Sequence, residues 1–158
     1  MPEKNPSIIS MESLKTARAK ILNTAEKRLY GRQGGRAIVK MLSSSVDTFL
    51  IDLWTQVGGS DHANVDLVAV GGYGRSELCP HSDWDILFLV AEGNNTQVSQ
   101  KIQSFIQCIW DSGAVLGHAV RTPREAREFS KTDHHSRTAL MESRLISGSG
   151  MLYKQLQN

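Results

Sequence analysis

Two acidic residues one position apart, Asp83 and Asp85, follow a glycine turn, Gly71-Gly72-Tyr73-Gly74, and each half of this arrangement has its own chemistry. Side chains alternate faces along an extended strand, so Asp83 and Asp85 are expected on one face and Trp84 on the other. Carboxylates placed side by side repel unless a cation sits between them. Hard divalent ions such as Mg²⁺ accept such oxygen ligands and keep positions open for water and phosphate. In the turn, residues without Cβ atoms let backbone N–H groups approach an anion, and Arg75 and Ser82 stand nearby as side-chain donors. The expected metal ligands and catalytic residues are therefore Asp83 and Asp85, with Gly71, Gly72, Arg75 and Ser82 on the phosphates. Asp-x-Asp alone is also compatible with solvated acids at a strand end. What favours a site is the combination of a buried strand, a Gly-Gly turn, ten residues from Gly72 to Ser82, and an apolar run opening on the second acid.

The elements that must position these groups follow from hydrophobic patterning. Val65–Val70 and Ile86–Val90 are short apolar runs on either side of the motif and predict strand, tight loop, strand. Val98, Ile102, Phe105, Ile106 and Ile109 recur at helical spacing, and Val115–Val120 predicts a third strand, interrupted by Gly117 where another group can approach the backbone. Thr122-Pro123-Arg124-Glu125 has the form of a capping box with proline at the first helical position. Asp133 is expected to cap a further helix running to about Ile146, ended by Gly148 and Gly150. Upstream, Leu14 to Leu29 and Ile38 to Val57 predict two amphipathic helices separated by Gly31–Arg36, with Gly58-Gly59-Ser60-Asp61 leading into the first strand. The expected fold class is α+β: a small mixed sheet with flanking helices and an amino-terminal helical preface. Residues 1–60 form the helical segment and 61–158 the core.

Composition narrows the class. The 158 residues suffice for one domain with a core, 40% are hydrophobic, and no apolar run approaches the length of a membrane span. A cytoplasmic protein without membrane contact is expected, since Met1–Pro6 lacks the design of a secretory signal. Cys79 and Cys108 are too few and too far apart for a disulfide framework or a cysteine metal site. The net charge of +2 is uneven: residues 1–40 hold nine Lys/Arg against three acids, and the remainder nine against thirteen. The basic stretch lies on polar helix faces without interleaved aromatics, which indicates solvated surface rather than a nucleic-acid partner.

The motif Gly-Gly-Tyr-Gly-Arg-x-Glu-Leu (71–78) followed by His-Ser-Asp-x-Asp (81–85) resembles the DNA polymerase beta-like nucleotidyltransferases. Within them it is most similar to the amino-terminal domain of the PII uridylyltransferase/uridylyl-removing family. Leu116–Thr122 and Thr138–Gly148 resemble further stretches of that domain, so the likeness runs from about residue 14 to the end. It implies a mixed sheet with helices against one side and Mg²⁺-dependent transfer of UMP from UTP to a tyrosine of the PII nitrogen-signalling protein. In that family a hydrolase domain of the HD type and ACT domains follow, so a chain of this length is expected to be an amino-terminal fragment with its transferase core truncated. Two departures stand out. Many relatives carry a third carboxylate on the strand after the intervening helix, yet 115–121 contains no Asp or Glu, and neither Asp111 nor Glu142, the latter expected on a helix, is expected to replace it. Ser76 occupies a position where the family usually has glycine, at a cost of about 1 kcal/mol if its φ is positive.

Other residues have plainer readings. Asp133-His134-His135 lies at a helix start, without the additional strand-end acids that a phosphoesterase with this triplet needs. His81 is compatible with a phosphate contact or with solvent, His118 with a site wall or the core, and Tyr73 with stacking on a base or wedging the turn. Trp54 and Trp110 fall in helical stripes and are expected in the core. Three functions from different classes are thus in play: a uridylyl-transferring module, a regulatory or degenerate module that binds nucleotide without turnover, and a nucleic-acid-binding helical domain resting only on the basic stretch.

Overall fold

The computed structural model describes residues 10–59, 64–93 and 96–158. Residues 1–9, Ser60-Asp61 of the expected turn and Asn94-Asn95 of the expected loop lie outside the described residues. The elements in chain order are α1 (Met11–Tyr30), α2 (Gly35–Gln56), β1 (Val65–Ala69), α3 (Gly71–Gly74), β2 (Trp84–Val90), α4 (Thr96–Asp111), β3 (Leu116–Arg121), α5 (Pro123–Thr132), α6 (His134–Met141), β4 (Arg144–Ser147) and α7 (Met151–Gln157). This is the mixed α+β architecture expected, with the two helices of the preface in place.

The sheet has the order β3-β2-β1-β4. β1 pairs antiparallel with β2 (Val68 opposite Leu87) and with β4, whereas β2 and β3 run parallel (Asp85 opposite Gly117). Parallel neighbours require a crossover, which α4 provides. One face of the sheet buries Leu67, Ala69, Ile86 and Phe88 with Leu50 and Leu53 of α2 and Ile102 and Phe105 of α4. Trp54, Phe88 and Phe105 close this core, with ring centroids 5.3 to 6.2 Å apart. The opposite face is thinner: Val68, Leu87 and Leu89 pack with Ala126 of α5 and Leu152 and Leu156 of α7. It also buries a charged side chain, Asp66, whose oxygens accept from the Gly150 and Tyr153 amides at 2.9 Å. Those amides belong to the start of α7, where unpaired N–H groups and the helix dipole favour an anion.

Three expectations are corrected. The helix expected to run to Ile146 stops at Met141, and Arg144–Ser147 is a fourth strand. Leu140, Met141, Leu145 and Ile146 suit a helical stripe as well as a short strand, and the open edge of β1 together with an ion pair at Arg144 decides for the strand. Glu142 accordingly caps the end of α6 instead of lying within a helix. Trp110 is half exposed at 50% and meets His118 edge-on at 6.0 Å, whereas Trp54 is in the core.

Candidate functional site

The glycine turn is a single helical turn, α3, rather than an open loop. β1 delivers the chain to it through Val70, whose amide donates to the Asp85 carbonyl at 3.1 Å, so the turn and the acidic strand start are joined by the sheet itself. Gly71 has φ +60°, accessible without strain only to glycine. Gly74 is required for a different reason. A Cβ there would lie 1.9 Å from the Glu142 carbonyl oxygen, so the turn packs directly on the junction of α6 and β4. Ser76 has φ +59°, the strained conformation anticipated where the resembled family uses glycine.

A partly buried network fixes the turn from below. The Tyr73 hydroxyl donates to Asp47 Oδ1 at 2.6 Å, and Arg144 grips the same carboxylate with two N–H groups at 2.7 and 3.1 Å. Arg144 also donates to the Tyr73 carbonyl at 3.4 Å. Tyr73 is therefore a wedge in the turn. Burial, reinforced by the Asp47 charge, pushes its phenol far above the ordinary range, so it stays protonated. This triad ties α2, α3 and β4 together and was not visible in sequence, because Asp47, Tyr73 and Arg144 are separated by up to 97 positions.

The Asp85 carboxylate lies between two glycines. A Cβ on Gly117 would fall 2.2 Å from Asp85 Oδ1, and one on Gly71 4.0 Å from Oδ2. Gly117 thus interrupts β3 where another group approaches it, and that group is Asp85. Asp83 and Asp85 are exposed on either side of buried Trp84, the alternation expected of the strand start. Partial burial raises the Asp85 pKa, and the neighbouring Asp83 charge raises it further. Two carboxylates this close, without a cationic partner among the described ion pairs, form an oxygen donor set that fits a hard cation such as Mg²⁺. Among the described residues, no group of three or more His, Cys, Asp or Glu side chains is placed to hold a metal ion. Asp111 accepts from Gln107 at 3.0 Å, and Glu142 is engaged by Arg75, so both have other partners.

Arg75 is exposed, with its Nε on Glu77 at 2.9 Å and Nη1 on Glu142. Its remaining nitrogen, Nη2, lies 3.7 Å from the position a Cβ on Gly72 would take, so the two carboxylates aim the free edge of the guanidinium at the glycine turn. The amides of Gly71 and Gly72 open the turn, where helix geometry leaves N–H groups without an intrahelical acceptor. Ser82 donates to the Cys79 carbonyl at 2.8 Å, shaping the approach to Asp83. His81 points elsewhere, with Nε2 3.9 Å from Glu26 of α1. Asp133 accepts from the Ser136 amide at 2.7 Å and caps α6, as its place at a helix start implies.

The sheet thus brings the glycine turn and the acidic pair side by side. The similarity to known proteins is more specific. The chain is 40% identical over 112 residues to the bifunctional uridylyltransferase/uridylyl-removing enzyme of Haemophilus influenzae (strain PittEE), an alignment covering 71% of this chain and 13% of that protein. It is 41% identical over 112 residues to the enzyme of the same name from Pasteurella multocida (strain Pm70), with the same coverage. The likeness to that of Vibrio parahaemolyticus serotype O3:K6 is 36% and extends over 99% of this chain and 18% of the relative. No protein-family model matches the chain. The chain thus matches a fragment of the enzymes that bear this name and spans less than a fifth of their length.

Proposed function

We propose that this module transfers UMP from UTP to a tyrosine of the PII signalling protein, with pyrophosphate leaving, in an Mg²⁺-dependent reaction. The observation that carries the reading is the Asp85 carboxylate, seated between Gly71 and Gly117 and charge-coupled to Asp83, in a chain that matches uridylyltransferases over most of its length. Asp83 and Asp85 would hold the metal. When bound, Mg²⁺ supplies charge neutralisation on the triphosphate and at the attacking and leaving oxygens.

The chain's own residues do the positioning. The Gly71 and Gly72 amides bind phosphate oxygens, Nη2 of Arg75 adds a charged donor over the same turn, and Ser82 borders the acids. Catalysis then consists of orientation and electrostatic preorganisation, the main resources in phosphoryl transfer. The Asp47–Tyr73–Arg144 triad contributes by keeping the turn at a fixed distance from Asp85. No helix among the described residues is long and apolar enough to cross a membrane, and a cytoplasmic site of action suits a PII acceptor.

One observation favours a second reading, a nucleotide-binding module without turnover: among the described residues no third acid joins the pair. Calorimetric titration with UTP and ATP, each with and without Mg²⁺, tests binding, and pyrophosphate release from the complete enzyme tests transfer. Metal-dependent binding that favours UTP and is lost in Asp83→Asn is expected, along with a fall in uridylylation of about a thousandfold or more for Asp83→Asn or Asp85→Asn. Near-normal transfer by either variant sinks the metal assignment, and binding without pyrophosphate release selects the second reading.

A further inference from the structure

The thin face of the sheet leaves a cleft of about 240 Å³ between the strands and helices α5 and α6. Asp85 stands at one end. Leu87 and Ala119 form its floor, Ala126 and Leu140 its far wall, and Arg121 the other end. Gly117 pairs with Asp85, and Arg121 lies four residues further along β3, about 13 Å away at the rise of a strand. The cleft therefore joins a cation-binding end to a cationic end across apolar walls.

Arg121 differs from the arginines already described. Its guanidinium carbon sits 3.9 Å over the centre of the Phe129 ring, and among the described residues no carboxylate forms an ion pair with it. Arg75 and Arg144, in contrast, are both held by acids. A guanidinium whose carbon sits over a ring still has N–H groups at its rim for an acceptor, and arginine can only donate.

We propose that this cleft takes the base of the nucleotide and that Arg121 reads the carbonyl edge of a uracil-type pyrimidine, an inference that rests on the nucleotidyltransferase reading above. The apolar walls suit the faces of a flat ring. Directed at position 4 of the ring, the guanidinium donates to the carbonyl oxygen that uracil carries there and finds no acceptor in the amino group that cytosine carries at the same place. With the triphosphate at Gly71, Gly72 and Asp85, the sugar and base extend along β3 towards Arg121.

The test is calorimetric titration of the chain in Mg²⁺ with UTP, CTP and inorganic tripolyphosphate, for the unsubstituted protein, Arg121→Ala and Arg121→Lys. UTP is expected to bind about tenfold more tightly than CTP, the scale of one good arginine–base contact. Arg121→Ala should abolish that ratio and leave tripolyphosphate affinity unchanged, and Arg121→Lys, which keeps the charge without the planar fork, should retain part of it. Circular dichroism establishes that both variants fold. An unchanged UTP/CTP ratio in Arg121→Ala, or an equal loss for tripolyphosphate, overturns the assignment. Tripolyphosphate binding by the unsubstituted chain with no base preference overturns the base-reading role alone and leaves the phosphate site standing. A chain that binds none of the three overturns both readings.

Discussion

The two faces of the sheet are made by the same strands and solve different problems. Under α2 and α4, the buried positions of β1 and β2 are all apolar, and three aromatic rings meet, Phe105 edge to face with the other two. On the other face the inward positions include Asp66 and Asp85, the cover is two short helices and α7, and a cleft remains open. Asp66 is buried with both oxygens satisfied by amides, while Asp85 is half in solvent with a raised pKa and a carboxylate neighbour. One face supplies cohesion. The other holds charge near solvent, where burial is incomplete and a cation or phosphate can enter. Residues of identical type thus have different tasks according to the face: Asp66 anchors a helix, and Asp85 is left without a cationic partner among the described ion pairs.

The contrast can be broken most sharply in the core. Phe88→Ala on the cohesive face should cost about 4 kcal/mol in chemical denaturation, while Leu87→Ala, one residue along and bordering the cleft, should cost about 2 kcal/mol because the open side relaxes around it. Equal losses would mean that the two faces are packed alike.

Next in size is the network on the α2 side of the sheet that ties α2, α3 and β4 together. Asp47→Ala leaves Arg144 half-buried without its partner and removes the acceptor of the Tyr73 hydroxyl. A loss of about 3 kcal/mol is expected, against about 1 kcal/mol for Asp47→Asn, which keeps an acceptor. If Asp47→Ala leaves stability intact yet abolishes nucleotide binding, the triad serves the site alone.

Smaller again is Gly117→Ala. Its Cβ falls on the Asp85 carboxylate, so that side chain must rotate away. Mg²⁺-dependent UTP binding should weaken about tenfold with little change in melting temperature, since the site face contributes little cohesion. An unaltered affinity would place the metal elsewhere.

The smallest effect concerns pH. Asp85 has a raised pKa in the folded chain, so its contribution to stability is present at low pH and declines as pH rises through that raised value. Metal binding requires the ionised form and has the opposite dependence, falling as pH drops. Glu77, Glu125, Glu128 and Asp133, whose pKa values are lowered, add stability in both chains as pH rises, so the readout is the difference. The unsubstituted chain should lose melting temperature relative to Asp85→Asn as pH rises across the acidic range. Identical curves would remove burial of Asp85 from the account.

Much of this was legible before the fold was known, for local reasons. The two preface helices, the first three strands and the capping box at Thr122 follow from spacing of apolar residues and from the chemistry of Thr, Pro and Glu at a helix start. The acidic pair and the glycine turn were legible because their geometry depends on neighbours within fifteen positions. β4 was not, because four residues with two apolar side chains carry no period of their own and become a strand only where β1 offers an edge. Trp110 was misplaced because a helical stripe records which side is apolar without saying whether anything covers its end. Arg121 drew no attention, since nothing local distinguishes a cleft arginine from a surface one.

What the sequence by itself determined is the set of groups and their order: two carboxylates at a strand mouth, a turn with three glycines, and an α+β pattern to join them. Tertiary structure alone decided where Asp85 sits between Gly71 and Gly117, that Asp47 and Arg144 clamp the turn, and that a cleft leads from the acids to Arg121. The physical reason is range. Backbone preference and amphipathic period act over a few residues, whereas carboxylate desolvation, ion pairing and cavity shape depend on groups that meet only after strands 30 to 80 positions apart have paired.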